Sequence, residues 1–428
     1  MDTYSLRRHA VAGVVLGLAL QLPALGRAEH DHHATGALGP TLDLQTTLSR
    51  ALQRAPELDV ARASQRGAGQ LVRSTRGALS LPPRVEISAG PRFGDSTGLD
   101  ASLGVWADFP MAGVAGARRR VAATRVSAAN HELAEVRVAV GLAAGVAWVD
   151  ARLARELLRV RKASLEQARK LEQLARARAD AQSATRGELA SAEALAGSAR
   201  AAVFAAQGDQ FMADAELAYR LGLGEGRGLR VVGRVDADGP ALREASVLAE
   251  ARQHPRLQRL MLEAKALNHA AEQSLAEGTS ALALGPSVTR EATGDWIVLG
   301  RVSVPLGVVN PGKFEASERR RLAAVARAHA AQQAIRQQTQ ARMLWHERTH
   351  ARRTRDALGA SAVKPAKSAL EEALLRYGEG KAPLSDVLLA RRAAMETEER
   401  WLQAAAEARR VEMELFAAMG RLPDGRRP

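Results

Sequence analysis

The stretch from Ser385 to Met419 contains neither proline nor glycine, and it constrains the fold more than any other feature of the chain. Its apolar residues recur at steps of three and four and give a long helix one narrow apolar face: Val387, Leu388, Ala394, Met395, Leu402, Val411 and Leu415. A narrow face is buried by a few neighbouring helices rather than by a wide core. The sequence therefore predicts long helices packed side by side.

A second segment, Arg118 to Asp180, predicts a helix of 63 residues. Unbroken, it would be about 95 Å long at about 1.5 Å per residue, far longer than a helix of a globular domain. Five residues along it form a coiled-coil-like seam: Val146, Val149, Leu153, Leu157 and Val160. Aromatic residues make up only 3% of the chain, which favours long packed helices over wide cores. In the corresponding helix of the second half, Gly359 and Pro365 predict a kink or an offset.

Two segments alternate between apolar and polar residues with a period of two, which is typical of β-strands. Residues 84–109 and 281–306 each predict a pair of strands, joined by turns at residues 94–98 and 291–295. Strands of this kind fit the wall of a membrane barrel, and they also fit a soluble sheet packed on helices. Four strands leave two unpaired edges, so barrel closure requires several chains. Two chains would supply eight strands and three would supply twelve, and the residue pattern leaves both open.

Matched residues recur in the same order along the chain and predict a duplicated unit. They lie 195 to 199 positions apart: Pro56 and Pro255, Gly90 and Gly285, Pro110 and Pro305, Trp148 and Trp345, Leu189 and Val387, Gly222 and Gly420. Residues 41–222 and 240–421 are each predicted to hold a helix, a strand pair and a long helical hairpin. The opening helix is predicted over Leu42 to Leu79, ended by Pro82. The glycine-rich residues 223–239 predict a linker, and residues 422–428 a tail.

The first 28 residues are typical of a secretory signal, with a basic pair at Arg7-Arg8 and an apolar run from Val11 to Leu20. The chain has no cysteine, which excludes disulfides, thiolate metal sites and a lipid-modified N-terminal cysteine. The net charge of +14 comes from arginine and glutamate mixed along helices. For an exported chain, this pattern predicts solvated helix faces and no nucleic-acid partner.

Two groups of residues carry side chains that bind metals. The first is a leader, predicted to be flexible over residues 29–40, in which three side chains could hold a divalent metal loosely: His30, His32 and His33. The second is an H-E-x-x-H sequence, which on a helix places two imidazoles on one face for zinc: His346, Glu347 and His350. It lies midway along a repeated structural helix, so a zinc protease is the weaker hypothesis.

The run from Gly222 to Gly228 follows a helix and lacks Gly-Lys-Ser/Thr, which predicts a hinge and not a phosphate loop. We therefore predict no enzyme activity and no cofactor.

The residues around the last helical turn resemble a known family. The pattern consists of Pro365, then Arg376-Tyr377-Gly378-Glu379-Gly380, then Leu384-Ser385-Asp386-Val387-Leu388, and a long helix that ends in Ala418-Met419-Gly420. It resembles the TolC-type outer membrane factors of tripartite efflux systems, and the placement of Pro365 resembles their heavy-metal branch. The resemblance is most specific in residues 361–421 and diffuse in the first unit.

The resemblance implies a mainly α fold with a small β part. Long helices would form a periplasmic α-barrel, and four strands per chain would contribute to a twelve-stranded outer-membrane β-barrel in a homotrimer. It implies a passive export duct surrounded by outer membrane lipid, with a periplasmic adaptor and an inner-membrane proton-driven pump as partners. Heavy-metal cations are the implied cargo. Multidrug or organic export is the alternative cargo, and a periplasmic coiled-coil scaffold is the alternative function.

The resemblance also assigns roles to the turns. In the family, a tyrosine and an aspartate nine residues later help to close the pore, and Tyr377 and Asp386 have that spacing. Lys381 lies beside Ala382, which occupies the place of a partnering arginine, and Leu389 replaces a second aspartate. Helix-end packing for Tyr377 and an N-terminal role for Asp386 are the structural alternatives. Turn residues are expected to contact the adaptor: Ser183, Thr185, Gly187, Gly378, Gly380 and Ser385.

Overall fold

A computed structural model describes residues 41–75, 83–93, 97–110, 113–224, 228–278, 281–304 and 312–428. The predicted signal and the histidine-rich leader, with His30, His32 and His33, lie outside these ranges. The described chain is mostly helical with a small β part, which confirms the predicted fold class. Within the same ranges, no helix is both long enough and apolar enough to cross a membrane.

The elements of the described residues follow one another as β1 (Thr41–Leu42), α1 (Leu44–Arg54), α2 (Pro56–Ser74), β2 (Arg84–Arg92), β3 (Gly98–Pro110), α3 (Val114–Asp180), α4 (Arg186–Arg220), β4 (Arg230–Val231), α5 (Glu244–Ala251), α6 (Pro255–Gly278), β5 (Ala281–Arg290), β6 (Trp296–Ser303), α7 (Lys313–Leu358), a π-helical turn (Gly359–Val363), α8 (Lys364–Gly378) and α9 (Leu384–Ala418). Both halves thus contain helices, a strand pair and long helices in the same order.

The opening helix predicted over Leu42 to Leu79 is wrong. Leu42 belongs to β1, and the helical residues divide into α1 and α2 at Ala55. Ala55 is extended, with φ −64° and ψ 126°, because the ring of Pro56 disfavours helical backbone in the preceding residue. Pro56 then takes the first position of α2, where a helix needs no N–H donor. Residues 76–79 lie outside the described chain.

The four longer strands form an antiparallel sheet in the order β2-β3-β5-β6. Its register places apolar residues opposite one another across the whole sheet, with Ile87 opposite Leu103, Leu103 opposite Val288, and Val288 opposite Val298. Opposed residues share a face, so one face is apolar from edge to edge. That face is open in the single chain, since Ile87 and Val298 are 77% and 72% exposed. The last strand ends at Ser303 and is shorter than predicted; residues 305–306 lie outside the described ranges.

The opposite face of the sheet is polar and internally bonded. Arg84 pairs with Asp108 at 3.0 Å, and Nε1 of Trp106 donates to the Glu86 carboxylate at 2.8 Å. Further along, the hydroxyls of Ser88 and Ser102 lie 2.6 Å apart. The sheet therefore separates an apolar surface from a hydrogen-bonded one.

Long helices continue from this sheet. Helix α3 contains 67 residues, which corresponds to about 100 Å, and it packs against α4, α6 and α9. The apolar stripe predicted on α9 is confirmed: Val387, Ala394 and Leu402 are buried. These helices lie side by side, as narrow apolar faces require.

The irregularity predicted at Gly359 and Pro365 is confirmed, and it takes the form of the π-helical turn. Pro365 lacks the N–H that a regular helix would use there, and a π-turn accommodates the missing bond without ending the helix. Gly359 brings the turn close to α9, because a Cβ at this position would lie 2.9 Å from the indole nitrogen of Trp401. The helix therefore shifts register at residues 359–363 and continues as α8 to the turn before α9.

Two matched pairs from the sequence make matching contacts. Nε1 of Trp148 donates to the carbonyl oxygen of Leu42 at 3.2 Å, and Nε1 of Trp345 donates to that of Leu242 at 3.5 Å. Each indole thus fastens a long helix to a leucine near the start of its own half. This recurrence supports the predicted duplication.

Gly222 and Gly420 match in conformation and in their neighbours. Both have left-handed φ values, 63° and 74°. A Cβ on Gly222 would lie 3.3 Å from the carbonyl oxygen of Arg54, and one on Gly420 would lie 2.5 Å from the ring of Pro255. Each glycine therefore ends a long helix and packs against the proline turn of its own half.

The predicted linker is packed and is not a free hinge. Leu229, Val231 and Val235 are buried in the cluster that surrounds Trp148. Strand β4 also pairs in parallel with β1. The glycine content of residues 223–239 predicts flexibility, but apolar side chains between the glycines anchor residues 229–235 to α3. Residues 225–227 lie outside the described part.

The predicted tail is also packed. Leu422 and Pro423 are buried against α3, where two glycines leave room for them. A Cβ on Gly141 would lie 2.9 Å from Leu422, and one on Gly145 would lie 3.1 Å from Pro423. Arg421 pairs with Glu250 of α5. The C-terminal residues therefore join the first half of the chain to the second.

Candidate functional site at the helical tips

The first tip connects α3 to α4 through residues 181–185. Thr185 and Glu188 form a capping box, in which the Thr185 hydroxyl accepts from the Glu188 N–H at 3.1 Å and the Glu188 carboxylate accepts from the Thr185 N–H at 3.0 Å. Ser183 Oγ donates to the carbonyl oxygen of Arg178 at 3.0 Å. Gly187, predicted in the turn, is instead the second residue of α4, because the cap at Thr185 starts the helix earlier.

The second tip connects α8 to α9 through residues 379–383. Gly380 has a left-handed φ of 74°, and the Lys381 N–H donates to the carbonyl oxygen of Arg376 at 2.8 Å, which closes the turn. Pro383 precedes the first residue of α9. The six residues expected to contact an adaptor are all exposed at the two tips: Ser183, Thr185, Gly187, Gly378, Gly380 and Ser385.

Tyr377, proposed for the pore gate, is fully buried within its own chain. It lies in an apolar cluster with Leu171 of α3 and Leu384 of α9. The guanidinium of Arg178 lies 4.5 Å from the centre of its ring, and Nη1 of Arg178 donates to its carbonyl oxygen at 2.7 Å. Burial raises the pKa of the Tyr377 phenol, and Arg178 partly opposes this. Tyr377 therefore joins the second tip to the first.

The other two gate candidates are exposed and are not brought together. Lys381 pairs with Glu379 of its own turn at 2.8 Å. Asp386 lies in the first turn of α9, where the helix dipole favours a negative charge, and it has no ion pair among the described residues. One turn further on, Leu389 is 71% exposed. Within one chain the three residues therefore do not form a bonded lock, and the side chain of Asp386 is exposed.

Arg178 is the tip residue that the sequence analysis missed. It bonds to both tips, since Nη2 also donates to the carbonyl oxygen of Ser183 at 3.2 Å. A signal was present in the repeat, because the 198-residue offset that relates Glu188 to Asp386 also relates Arg178 to Arg376 of the motif. An arginine thus precedes both turns, and only the first reaches across to the other tip.

The H-E-x-x-H residues do not form a site. His346, Glu347 and His350 are exposed on α7, whereas Arg348 between them is buried. In the described part of the chain, no three histidine, aspartate or glutamate side chains are arranged to hold a metal ion. The helix therefore presents the histidines to its surroundings and uses the arginine for packing.

That arginine belongs to a buried ionic cluster, which we call the Glu412 cluster: Glu412, Arg348, Arg352 and Arg409. The Glu412 side chain is 2% exposed and accepts from Arg348 at 2.7 Å, from Arg352 at 2.8 Å and from Arg409 at 2.6 Å. Because a carboxylate in this environment needs several donors, the three arginines compensate its desolvation.

The same face of α7 holds the packed linker. Arg348 donates to the carbonyl oxygen of Pro240 at 2.6 Å, and Arg352 to that of Gly239 at 3.1 Å. Arg355 donates to the carbonyl oxygen of Asp236 at 3.2 Å and to the Asp238 carboxylate at 2.9 Å. This bond to Arg355 lowers the pKa of Asp238. The Glu412 cluster therefore orients the arginines that hold residues 239–240 on α7.

His254 is a buried titratable group outside the tips. Its Nδ1 accepts from the Arg256 N–H at 3.1 Å, which leaves Nε2–H to donate to the carbonyl oxygen of Ala417 at 3.1 Å. Burial lowers the pKa of His254. The neutral imidazole thus links the start of α6 to the end of α9.

No protein-family model matches the sequence, and no curated protein matches it in a sequence comparison. Comparison of structures places the fold among membrane channel proteins. The CmeC outer membrane channel of Campylobacter jejuni superimposes with a TM-score of 0.72 at 16% identity, over 90% of this chain and 86% of that one. The open-state MtrE outer membrane channel of Neisseria gonorrhoeae gives 0.69 at 19% identity, over 90% of both chains. CusC gives 0.71 at 17% identity, over 88% of this chain and 92% of that one. What these proteins share with this chain is the fold, which is the one that the resemblance to TolC-type factors implied.

Proposed function

We propose that this chain is a subunit of a passive export channel in the outer membrane and that it assembles as a homotrimer. The observation that carries this proposal is the amphipathic sheet. Its apolar face is exposed from edge to edge, and its edge strands, β2 and β6, offer backbone donors and acceptors for pairing. Sister chains that pair at these edges would close a twelve-stranded barrel, and lipid would cover the apolar face.

The helices support assembly of several chains. Apolar side chains on the outer faces of α4 and α7 are between 61% and 68% exposed: Phe204, Phe211, Met212, Tyr219, Ile335 and Met343. Such rows are costly in water and are covered when neighbouring subunits pack side by side. Three copies of the two helical hairpins would enclose a periplasmic tube below the barrel.

The tips support the proposed partners. Both tips present short polar turns on rigid helices, and we assign their six exposed residues to contact with a periplasmic adaptor. A passive duct needs an energy source, which we assign to an inner-membrane proton-driven pump. Asp386 has no ion pair among the described residues of its own chain, so three copies would repel one another around the axis unless a cation or Lys381 of a neighbour lies between them.

For the cargo we propose heavy-metal cations. The support is the sequence resemblance around Pro365 and the three histidines of the leader, which lie outside the described residues. Organic solutes are the alternative cargo of a duct of the same form. A strain that lacks the gene should become sensitive to metal ions, whereas sensitivity to dyes and antibiotics alone would assign the duct to organic cargo.

Membrane insertion is tested by two variants of neighbouring residues. Leu103→Lys places a charge on the apolar face, where it costs about 2–4 kcal/mol near the middle of a bilayer, so the protein should be lost from the outer membrane fraction. Ser102→Lys adds the same charge to the polar face of the same strand and should leave the fraction unchanged. Equal loss, or no loss, in the two variants would contradict the proposal.

A further inference from the structure

Both long helices that follow the strand pairs carry a run of three arginines within their first three turns. The first two turns of α3, residues 114–120, and the first turns of α7, residues 313–321, together contain seven arginine and lysine residues and two glutamates. We call the seven cations the basic collar: Arg118, Arg119, Arg120, Lys313, Arg319, Arg320 and Arg321. Neither the tip contacts nor the Glu412 cluster involves any of them.

The basic collar lies beside the helical end of the sheet. Strand β3 ends at Pro110 and α3 begins at Val114, so the first run lies four to six residues, about 6–9 Å, beyond the start of α3. The second run lies at the level of Arg120, because Arg319 of α7 donates to the carbonyl oxygen of Ala270 at 2.7 Å and Arg120 pairs with Glu272, two positions further along α6. Polar headgroups occupy about 5–8 Å beyond each side of the hydrocarbon core of a bilayer.

Internal ion pairs orient part of the basic collar and leave part of it available. Arg118 pairs with Glu277 at 2.8 Å and Arg120 pairs with Glu272 at 3.2 Å, both on α6. Arg321 pairs with Glu318 on its own helix. Arg119 and Arg320 are exposed, and among the described residues neither has an acidic partner.

We propose that the basic collar binds the phosphate groups of anionic phospholipids in the leaflet that faces the helices. The inference rests on the proposed insertion of the sheet in a membrane. A guanidinium presents two parallel N–H donors that match a phosphate, and basic residues near an anionic bilayer surface attract it electrostatically. The collar lies on the two helices that follow β3 and β6, so acyl chains on the strands would place their phosphates near Arg119 and Arg320.

The experiment uses the purified full-length assembly in neutral detergent, titrated with phosphatidylglycerol or phosphatidylcholine and analysed by native mass spectrometry. We expect the wild type to retain phosphatidylglycerol preferentially, and this preference should weaken as salt is raised. The Arg119→Gln/Arg320→Gln variant should bind phosphatidylglycerol about 30-fold more weakly, since each basic residue near an anionic surface contributes about a fivefold gain.

The matched control is Lys170→Gln/Arg353→Gln. It removes the same two charges from exposed positions of the same two helices, about 75 Å and about 50 Å further along. Its lipid preference should equal that of the wild type. Inorganic phosphate serves as a second control and should not displace the lipid at equal concentration.

Three results would overturn the proposal: no preference for phosphatidylglycerol in the wild type, equal loss in the two double variants, or displacement by inorganic phosphate. If the collar variant does not assemble, the proposal is tested by the salt dependence of the wild type: a preference for phosphatidylglycerol that does not weaken as salt is raised would refute it. Fractionation of the wild type tests the proposed membrane location separately. A protein found in the outer membrane without lipid preference would therefore refute the collar and leave the channel proposal standing.

Discussion

Replacement of Glu412 by glutamine should release the segment that joins the two halves. Glu412 accepts from Arg348, Arg352 and Arg409, and two of these arginines also hold the carbonyl oxygens of Gly239 and Pro240. Without the carboxylate, three cations would face one another around a neutral amide. The arginines would then turn toward solvent and lose their bonds to the linker.

The free-energy cost of Glu412→Gln follows from the burial of the side chains in the cluster. The side chains of Glu412 and Arg348 are 2% and 7% exposed, and removal of one partner from a buried pair costs about 3–5 kcal/mol. Arg352 and Arg409 are 22% and 14% exposed and can be partly hydrated, which favours the lower end of that range. A cost of about 3 kcal/mol corresponds to about a 100-fold increase in local opening.

Trypsin cleavage after Arg234 measures this opening, because the protease requires the surrounding segment to unfold locally. We expect Glu412→Gln to be cleaved about 100 times faster than the wild type. The matched control is Glu407→Gln on the same helix, which breaks an ion pair with Arg410. The side chain of Glu407 is 54% exposed. Exposed pairs contribute about 0.5 kcal/mol, so cleavage should change about twofold.

A second variant reaches the same cluster from the linker. A Cβ on Gly239 would lie against the carboxylate of Glu412, so Gly239→Ala should displace that carboxylate and also accelerate cleavage after Arg234. The reasoning is refuted if Glu412→Gln is cleaved no faster than Glu407→Gln. It is also refuted if Gly239→Ala is cleaved at the wild-type rate.

Three further predictions concern the tips, the pH dependence and the C-terminal residues. Arg178→Gln removes a charge-assisted hydrogen bond and a cation–π contact, which together contribute about 2 kcal/mol. The resting conductance of the proposed channel, reconstituted in a bilayer, should therefore rise. Arg169→Gln, which breaks an exposed ion pair on the same helix, should leave the conductance unchanged. Burial lowers the pKa of His254 in the folded chain, so the unfolded chain binds a proton first as the pH falls below 6.5. The folded state therefore loses stability from pH 6.5 down to the lowered pKa of the folded chain. Thermal denaturation at about pH 7.5 and about pH 5.5 should show a smaller pH-dependent loss of stability in His254→Ala than in the wild type. Gly145→Val should release the C-terminal residues to carboxypeptidase, and Gly197→Val, at a glycine with no neighbour within 4 Å, should not.

Periodicity in the sequence predicts the long elements well, because a helix face or a strand face is a local property. The stripe on α9 and the alternation in β2 and β3 both correspond to observed elements. The missed break at Ala55 was also local, since Pro56 disfavours helical backbone in the residue before it.

Contacts between distant residues could not be predicted from periodicity. Arginine and glutamate mixed along a helix predict a solvated face, yet Arg348 and Glu412, 64 positions apart, are buried together. Exposed Glu407 and buried Glu412 occur in the same run of charged residues, and only the packing of α7 distinguishes them. The hydrogen bond from Arg178 to the carbonyl oxygen of Tyr377 could not be predicted for the same reason, because the two residues are 199 positions apart.

The tip contact between Arg178 and Tyr377 and the Glu412 cluster differ in strength, and this difference orders their responses to force. The tip contact is one hydrogen bond and one cation–π pair from a partly exposed Arg178, whereas Glu412 accepts from three arginines at a site almost closed to water. Between them on the second half lies the π-helical turn Gly359–Val363, where the helix already departs from regular bonding. If the tips of the proposed channel separate during transport, the weaker contact at Tyr377 opens first. Bending is then absorbed at residues 359–363, and the Glu412 cluster stays closed. Variants at the tip should therefore change conductance without loss of assembly, and variants in the cluster should affect assembly first.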